Sequence, residues 1–261
     1  MTTLLADYEN ERRAFENLLL PSCQERILLF RGASGSGKTT LLKYCREHVP
    51  QATPHLPIEL RGSAVSVEEI FQRSGRHLTW DRLHHFTEQV ANMQGAPNVQ
   101  IDRNWLAGIN NRIIVALHAE SLVDREHRRA VLTNTWFDDL ATFDYPILVL
   151  FDTYEQATTE VQAWISGPFL ARASQVDQVR VLVAGQIVPE RNNIEWGHCC
   201  TIHDLYGVIE AKYWMPIVRE MRRRIAVDDP ESWLAGVCHA LKGNPESIMK
   251  VIEGLPQETI S

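Results

Sequence analysis

Apolar residues along this 261-residue chain follow two patterns. Short, mostly apolar runs at 26–30, 56–60, 147–151 and 179–184 predict strands, and runs of this kind suit a parallel sheet covered by helices on both faces. Between them the spacing turns helical. Residues 7–20 predict a helix with Phe15, Leu18 and Leu19 on one face, and 40–48 predict another. Ser66 is placed to cap a helix through Gln72, because its hydroxyl can accept an orphan backbone N–H. Further helices are expected over 78–93, 105–117 and 124–143, with a turn at 95–98 and an amphipathic segment at 161–170. The long gap between the second and third strands is therefore helical crossover with room for an inserted helical pair. Beyond His203 the pattern predicts helix after helix, at 205–213, 215–225, 230–241 and 245–252, broken by Asp228, Asp229, Gly243 and Asn244.

This order predicts an α/β protein: a three-layer α/β/α core with a parallel sheet over 1–203, opened by an N-terminal helix, and a small helical lid over 204–261. Composition changes little. With 44% apolar residues the chain can bury a core, and 26 Lys plus Arg against 33 Asp plus Glu leave a net charge of -7, which disfavours a nonspecific polyanion binder. Asp7, Glu9 and Glu11 near the start, and the lack of any apolar run near the ~20 residues of a membrane span, lead us to expect a cytoplasmic protein. The five cysteines are odd in number and lack paired C-x-x-C spacing, which argues against a disulfide or zinc framework.

The chemistry is concentrated in Gly32-Ala33-Ser34-Gly35-Ser36-Gly37-Lys38-Thr39, between a predicted strand and a helix that continues through Thr40. Glycines there let backbone N–H groups converge on an anion, and the helix adds its positive end. Lys38 is expected to reach the terminal phosphates of a nucleotide and the Thr39 hydroxyl to bind Mg2+. A second apolar strand ends in Asp152, a carboxylate suited to hold the Mg2+ shell opposite Thr39; capping the next helix is the plainer reading. Glu155 stands where a general base for water would, although Asp152 and Glu155 also have the spacing of a capping box.

These pieces resemble the signal-transduction ATPases with numerous domains, the STAND group of AAA+-like P-loop NTPases, and their bacterial members in particular. The matching residues are Gly32 to Thr39, Val149-Leu150-Phe151-Asp152-Thr153-Tyr154-Glu155, Val183-Ala184-Gly185-Gln186 and Gly243-Asn244-Pro245. The resemblance implies ATP or ADP as ligand with Mg2+, Gln186 as sensor of the terminal phosphate, and Pro245 packed over adenine and ribose. Many relatives carry arginine where Gln186 stands; Arg191 is placed to compensate or to lie in solvent. The Gly-Arg pair common before the first helix is replaced by Glu11-Arg12-Arg13-Ala14-Phe15. The resemblance further implies a slowly hydrolysing switch, active in bacterial anti-phage defence. Effector or sensor functions would then come from a protein partner, and a homo-oligomer would follow activation.

Three competitors share the same loop: an idle nucleotide latch, a nucleic-acid-dependent AAA+-type ATPase, and a small-molecule kinase. Arg219, Arg222, Arg223 and Arg224 fit a solvated helix face, a phosphate or subunit contact, or nucleic acid. His198, Cys199, Cys200 and His203 fit a partly buried loop better than a metal site. The tryptophans fit packing, and Tyr213-Trp214-Met215-Pro216 fit a hinge surface between sheet and lid.

Overall fold

A computed structural model describes residues 3–61, 65–96 and 100–258. The chain runs α1 (Glu9–Leu18), β1 (Ile27–Gly32), α2 (Lys38–Glu47), β2 (His55–Glu59), α3 (Val67–Leu78), α4 (His84–Met93), α5 (Arg103–Ala107), α6 (Ile109–Leu117) and α7 (Leu122–Leu140). It continues through β3 (Ile147–Asp152), α8 (Thr159–Trp164), α9 (Leu170–Gln175), β4 (Val179–Gly185), β5 (Cys200–Leu205), α10 (Ala211–Glu220), α11 (Pro230–Ala240) and α12 (Pro245–Glu253). The five strands form one sheet in the order β2-β3-β4-β1-β5, all neighbours parallel. The parallel sheet sandwiched by helices expected from the sequence is thus observed, with helices following it.

Strand alternation divides the core. Ile27, Leu29, Val149, Phe151, Val181 and Val183 face one helical layer, packed with α3 through α9. Leu28, Phe30, Leu148, Leu150, Leu182 and Ala184 face the other, packed with α1, α2 and α10 through α12. Arg180 is the exception within these runs, 1% exposed in β4. Its guanidinium donates to the Leu18 carbonyl at 2.6 Å and the Asp177 carbonyl at 2.6 Å. It thereby satisfies the end of α1, where helix carbonyls lack partners of their own.

Four local readings are corrected. The helix expected over 78–93 breaks at Thr79, whose φ is 66°, and resumes at His84 because the buried Asp139 carboxylate of α7 accepts the backbone N–H groups of His85 and Phe86. Gly108 separates α5 from α6 within the expected 105–117 helix. The segment around His203 is neither loop nor helix: Cys200 to Leu205 pair with β1 as the fifth strand, so the sheet continues past the point where helices were expected to begin. In place of the expected helices 205–213 and 215–225 stands one shorter helix, α10 (Ala211–Glu220), that runs through Pro216. Pro216 is the sixth residue of α10, past the first turn, so its missing N–H costs the helix one bond, to the Lys212 carbonyl. Tyr213 to Pro216 accordingly lie inside α10. Ser66 does cap α3, accepting from the Glu69 N–H at 3.3 Å. Gly62, Pro97 and Asn98, read as strand end and turn, lie outside the described residues. No helix among the described residues is long and apolar enough to cross a membrane.

Candidate active site

The alternation that sorts the core also builds the site. Gly32 ends β1, Asp152 ends β3 and Gln186 follows β4, each in register with the residues that face α2. All lie at the carboxyl ends of parallel strands, where open α/β sheets form their crevices. Gly37 precedes α2 with φ 85°, a left-handed conformation that glycine adopts at no steric cost and that swings the loop back over the helix start. Lys38 opens α2 with its Nζ donating to the Gly32 and Ala33 carbonyls, both at 2.8 Å. Burial pushes its ammonium below the usual lysine range, against the pull of nearby Glu155 and Asp152.

Asp152 is half-buried beside this loop. Burial pushes its carboxyl above the ordinary aspartate range, and hydrogen bonds from the Thr39 hydroxyl and the Thr153 backbone bring it partly back. Hydroxyl and carboxylate are hard oxygen donors, the set that suits Mg2+ rather than a thiophilic ion. Glu155 does not close a capping box. Its Oε2 accepts the Gln186 backbone N–H at 2.8 Å and its Oε1 accepts the Gln186 side-chain amide at 3.2 Å. A Cβ on Gly185 would stand 2.3 Å from the Ile187 carbonyl oxygen and 2.8 Å from Glu155 Oε2, so the backbone turn after β4 requires glycine there.

One cleft of about 510 Å³ gathers these groups. Lys38, Thr39, Thr40, Asp152, Glu155 and Gln186 line its polar end together with Ser34, Gly35 and Gly37. Gly32, Ala33 and Ser36 do not line it: the first two turn their carbonyls to Lys38, and the Ser36 carbonyl accepts the Tyr8 hydroxyl. Pro245 lines the cleft close to the loop, 3.6 Å from where a Cβ on Gly37 would stand, and Trp214, Ile217 and Met249 add further apolar lining. The helices behind it touch the loop directly: Asn244 donates to the Ser34 carbonyl at 3.2 Å, and the Glu246 N–H donates to the Gly35 carbonyl at 3.1 Å. Asn244 also caps α12 by accepting from the Ser247 N–H at 2.9 Å.

Sequence reasoning missed Leu4, Leu5 and Tyr8, which line the cleft from the segment before α1. Tyr8 is buried with φ 61°, and burial pushes its phenol well up. A single tyrosine between Asp7 and Glu9 carries no local signal of this role. Trp214 and Ile217 did carry one: their i, i+3 spacing places both on one face of α10.

Other candidates lie elsewhere. Arg191 donates to the Gly197 carbonyl at 3.3 Å and does not line the cleft. In the arginine run, Arg223 donates to the Leu255 carbonyl at 2.8 Å and its backbone bridges to Gln257, while Arg219, Arg222 and Arg224 are exposed. Cys199 and Cys200 are buried, and burial pushes the Cys200 thiol up to about 12. His203 instead approaches Glu11, 3.5 Å from its carboxylate.

No protein-family model matches the chain. No curated protein matches it either. Among solved structures it is similar to the Walker-type ATPase PABY2304 of Pyrococcus abyssi, at 14% identity and TM-score 0.52, over 97% of this chain and 69% of that one. It is similar as well to Cdc6p from Pyrobaculum aerophilum, at 12% identity and TM-score 0.52, over 94% of this chain and 61% of that one. The chain thus spans about two thirds of the length of these structures. At such identities the likeness shows the fold alone.

Proposed function

We propose that this chain is an ATP-binding, slowly hydrolysing molecular switch. The observation that carries the reading is the cleft itself, which joins a phosphate loop, Asp152 and Glu155 to a wall of α10 and α12. Backbone N–H groups of Ser34 to Lys38 and the start of α2 favour phosphate oxygens, and Lys38 exchanges the Gly32 and Ala33 carbonyls for them. Thr39 and Asp152 are the residues that would hold Mg2+, which when bound neutralises charge on the β- and γ-phosphates. Glu155 orients the attacking water and takes its proton. Trp214, Ile217, Pro245 and Met249 offer the base and ribose an apolar surface with which Leu4, Leu5 and Tyr8 are continuous. ATP rather than another nucleotide rests on the STAND resemblance, and so does a role in bacterial anti-phage defence.

The switch rests on Asn244 and Glu246. Their bonds to the Ser34 and Gly35 carbonyls tie the helices at 211–253 to the loop that would hold phosphate. A ligand that moves the loop therefore biases the position of those helices. Of the two regions expected from the sequence, 1–203 and 204–261, we assign the first, with β5 carried on to Leu205, the role of engine and the helices after it that of lid, with a protein partner or a second copy of the chain reading the lid.

A second reading, an idle nucleotide latch, is favoured by the double engagement of Glu155 by Gln186. Phosphate release from ATP with Mg2+, measured for wild type, Lys38→Ala and Glu155→Gln beside nucleotide binding by each, separates the two. Turnover lost in both variants while Glu155→Gln still binds supports the hydrolytic switch. Lys38-dependent binding without turnover in wild type supports the latch, and no binding at all overturns both.

A further inference from the structure

Arg61 follows β2 at the end of the sheet where Asp152 lies. Leu60 prolongs the strand's register, its N–H donating to the Asp152 carbonyl at 3.0 Å, and its side chain is buried with Leu56 and Ile58 against the α3 layer. Alternation turns Glu59 and Arg61 to the other face, the one that carries α2 and the phosphate loop. Arg61 accordingly lines the polar end of the cleft with Lys38, Asp152, Glu155 and Gln186. Its side chain is 64% exposed, and the Glu59 carboxylate is 3.7 Å away. So loose and solvated a pair holds its members weakly.

The other cations among the described residues lining the cleft are engaged. Lys38 is bound to two loop carbonyls, and Lys250 is paired with Glu246 at 2.6 Å. The residue after Gly185 is Gln186, already bonded to Glu155. Three carboxylates, Glu59, Asp152 and Glu155, stand at this end of the sheet, where a γ-phosphate would bring further negative charge. Building on the nucleotide reading, we propose that Arg61 reads the terminal phosphate and makes the cleft discriminate nucleoside triphosphate from diphosphate. Its guanidinium leaves Glu59 and presents its planar fork to the γ-phosphate oxygens, a match that a lysine ammonium does not reproduce. A diphosphate ends one phosphoryl group short and does not draw it in.

The test is equilibrium binding, with Mg2+, of a nonhydrolysable ATP analogue and of ADP to the full chain and to Arg61→Gln, Arg61→Lys and Glu59→Gln. Arg61→Gln is expected to weaken triphosphate binding about tenfold or more, the scale of one charge-assisted hydrogen bond, and to leave ADP within about twofold. Arg61→Lys falls between, and Glu59→Gln keeps or tightens triphosphate binding. Equal losses for both nucleotides in Arg61→Gln, no loss for either, or the same loss in Glu59→Gln overturns the proposal while the nucleotide site stands. A wild-type chain that binds neither nucleotide removes the site and this role of Arg61 together.

Discussion

Gln186 holds Glu155 by two donors, its backbone N–H at 2.8 Å and its side-chain amide at 3.2 Å. The backbone bond survives any substitution that keeps the local fold, so the two residues separate experimentally. Glu155→Gln is expected to lower phosphate release by about 100-fold or more, the usual worth of a general base, with nucleotide binding retained. Gln186→Ala leaves Oε2 anchored and is expected to cost turnover about tenfold, because one of the two hydrogen bonds to the carboxylate is lost. Steady-state phosphate release checks both, and equal losses would assign the two residues a single role.

Asp152 carries a charge that the fold resists. Its carboxyl is raised by burial, so the folded chain holds that proton more tightly than the unfolded chain does. Stability therefore falls as pH rises from the ordinary aspartate value through the raised one, and above that the penalty is complete. Asp152→Asn, which can still accept from Thr39, is expected to melt higher than wild type at pH 7, with the gap closing near about pH 4. The same variant is expected to lose Mg2+-dependent ATP binding. Thermal melts at the two pH values decide the first point, and a lower melting temperature for the variant at neutral pH would contradict it.

Asn244 links α12 to the phosphate loop while capping that helix. Asn244→Ala removes both bonds and is expected to cost about 0.5–2 kcal/mol of stability, the range for a lost N-cap. Asn244→Ser restores the cap, but its shorter side chain does not reach Ser34. Nucleotide affinity that stays low in Asn244→Ser once stability is recovered, measured by titration beside chemical denaturation, would mark the loop contact as the functional one.

Far from the cleft, Gly75 in α3 leaves room for the Trp80 ring, which a Cβ at that position would overlap. Gly75→Ala gains about 1 kcal/mol of helix propensity, yet overpacking against the ring is expected to cost about 1–3 kcal/mol. Pairing it with Trp80→Ala should recover part of that loss, as contacting residues do in a double-mutant cycle. Denaturant unfolding of the four proteins reads the coupling, and additive effects would mean the ring moves aside freely.

Much of the fold was legible because its signals are local. Four apolar runs, a glycine loop with φ 85° at Gly37, and a hydroxyl cap at Ser66 each depend on residues within one turn or strand. The elements that misled are those decided at a distance. Cys200 to Leu205 have a half-polar burial pattern and become a strand because β1 offers an open edge to pair with. Pro216 ends no helix, and α4 starts at His84 because a carboxylate 53 or more residues away, Asp139, accepts its first N–H groups.

The site divides the same way. Lys38, Thr39, Asp152 and Glu155 could be chosen from sequence because a phosphate loop and strand-end carboxylates have fixed spacing, Gln186 and Pro245 only through the family resemblance, and the structure lines one cleft with all six. Leu4, Leu5, Tyr8 and Arg61 could not, since nothing in their local spacing distinguishes them from surface or core. Sequence by itself determined the strand–loop–helix unit and the alternation that sends each strand's side chains to a given face. Only the tertiary structure decided which strand ends meet, and with them which carboxylates, amides and arginine share the cleft, because strand order depends on packing between segments more than a hundred residues apart.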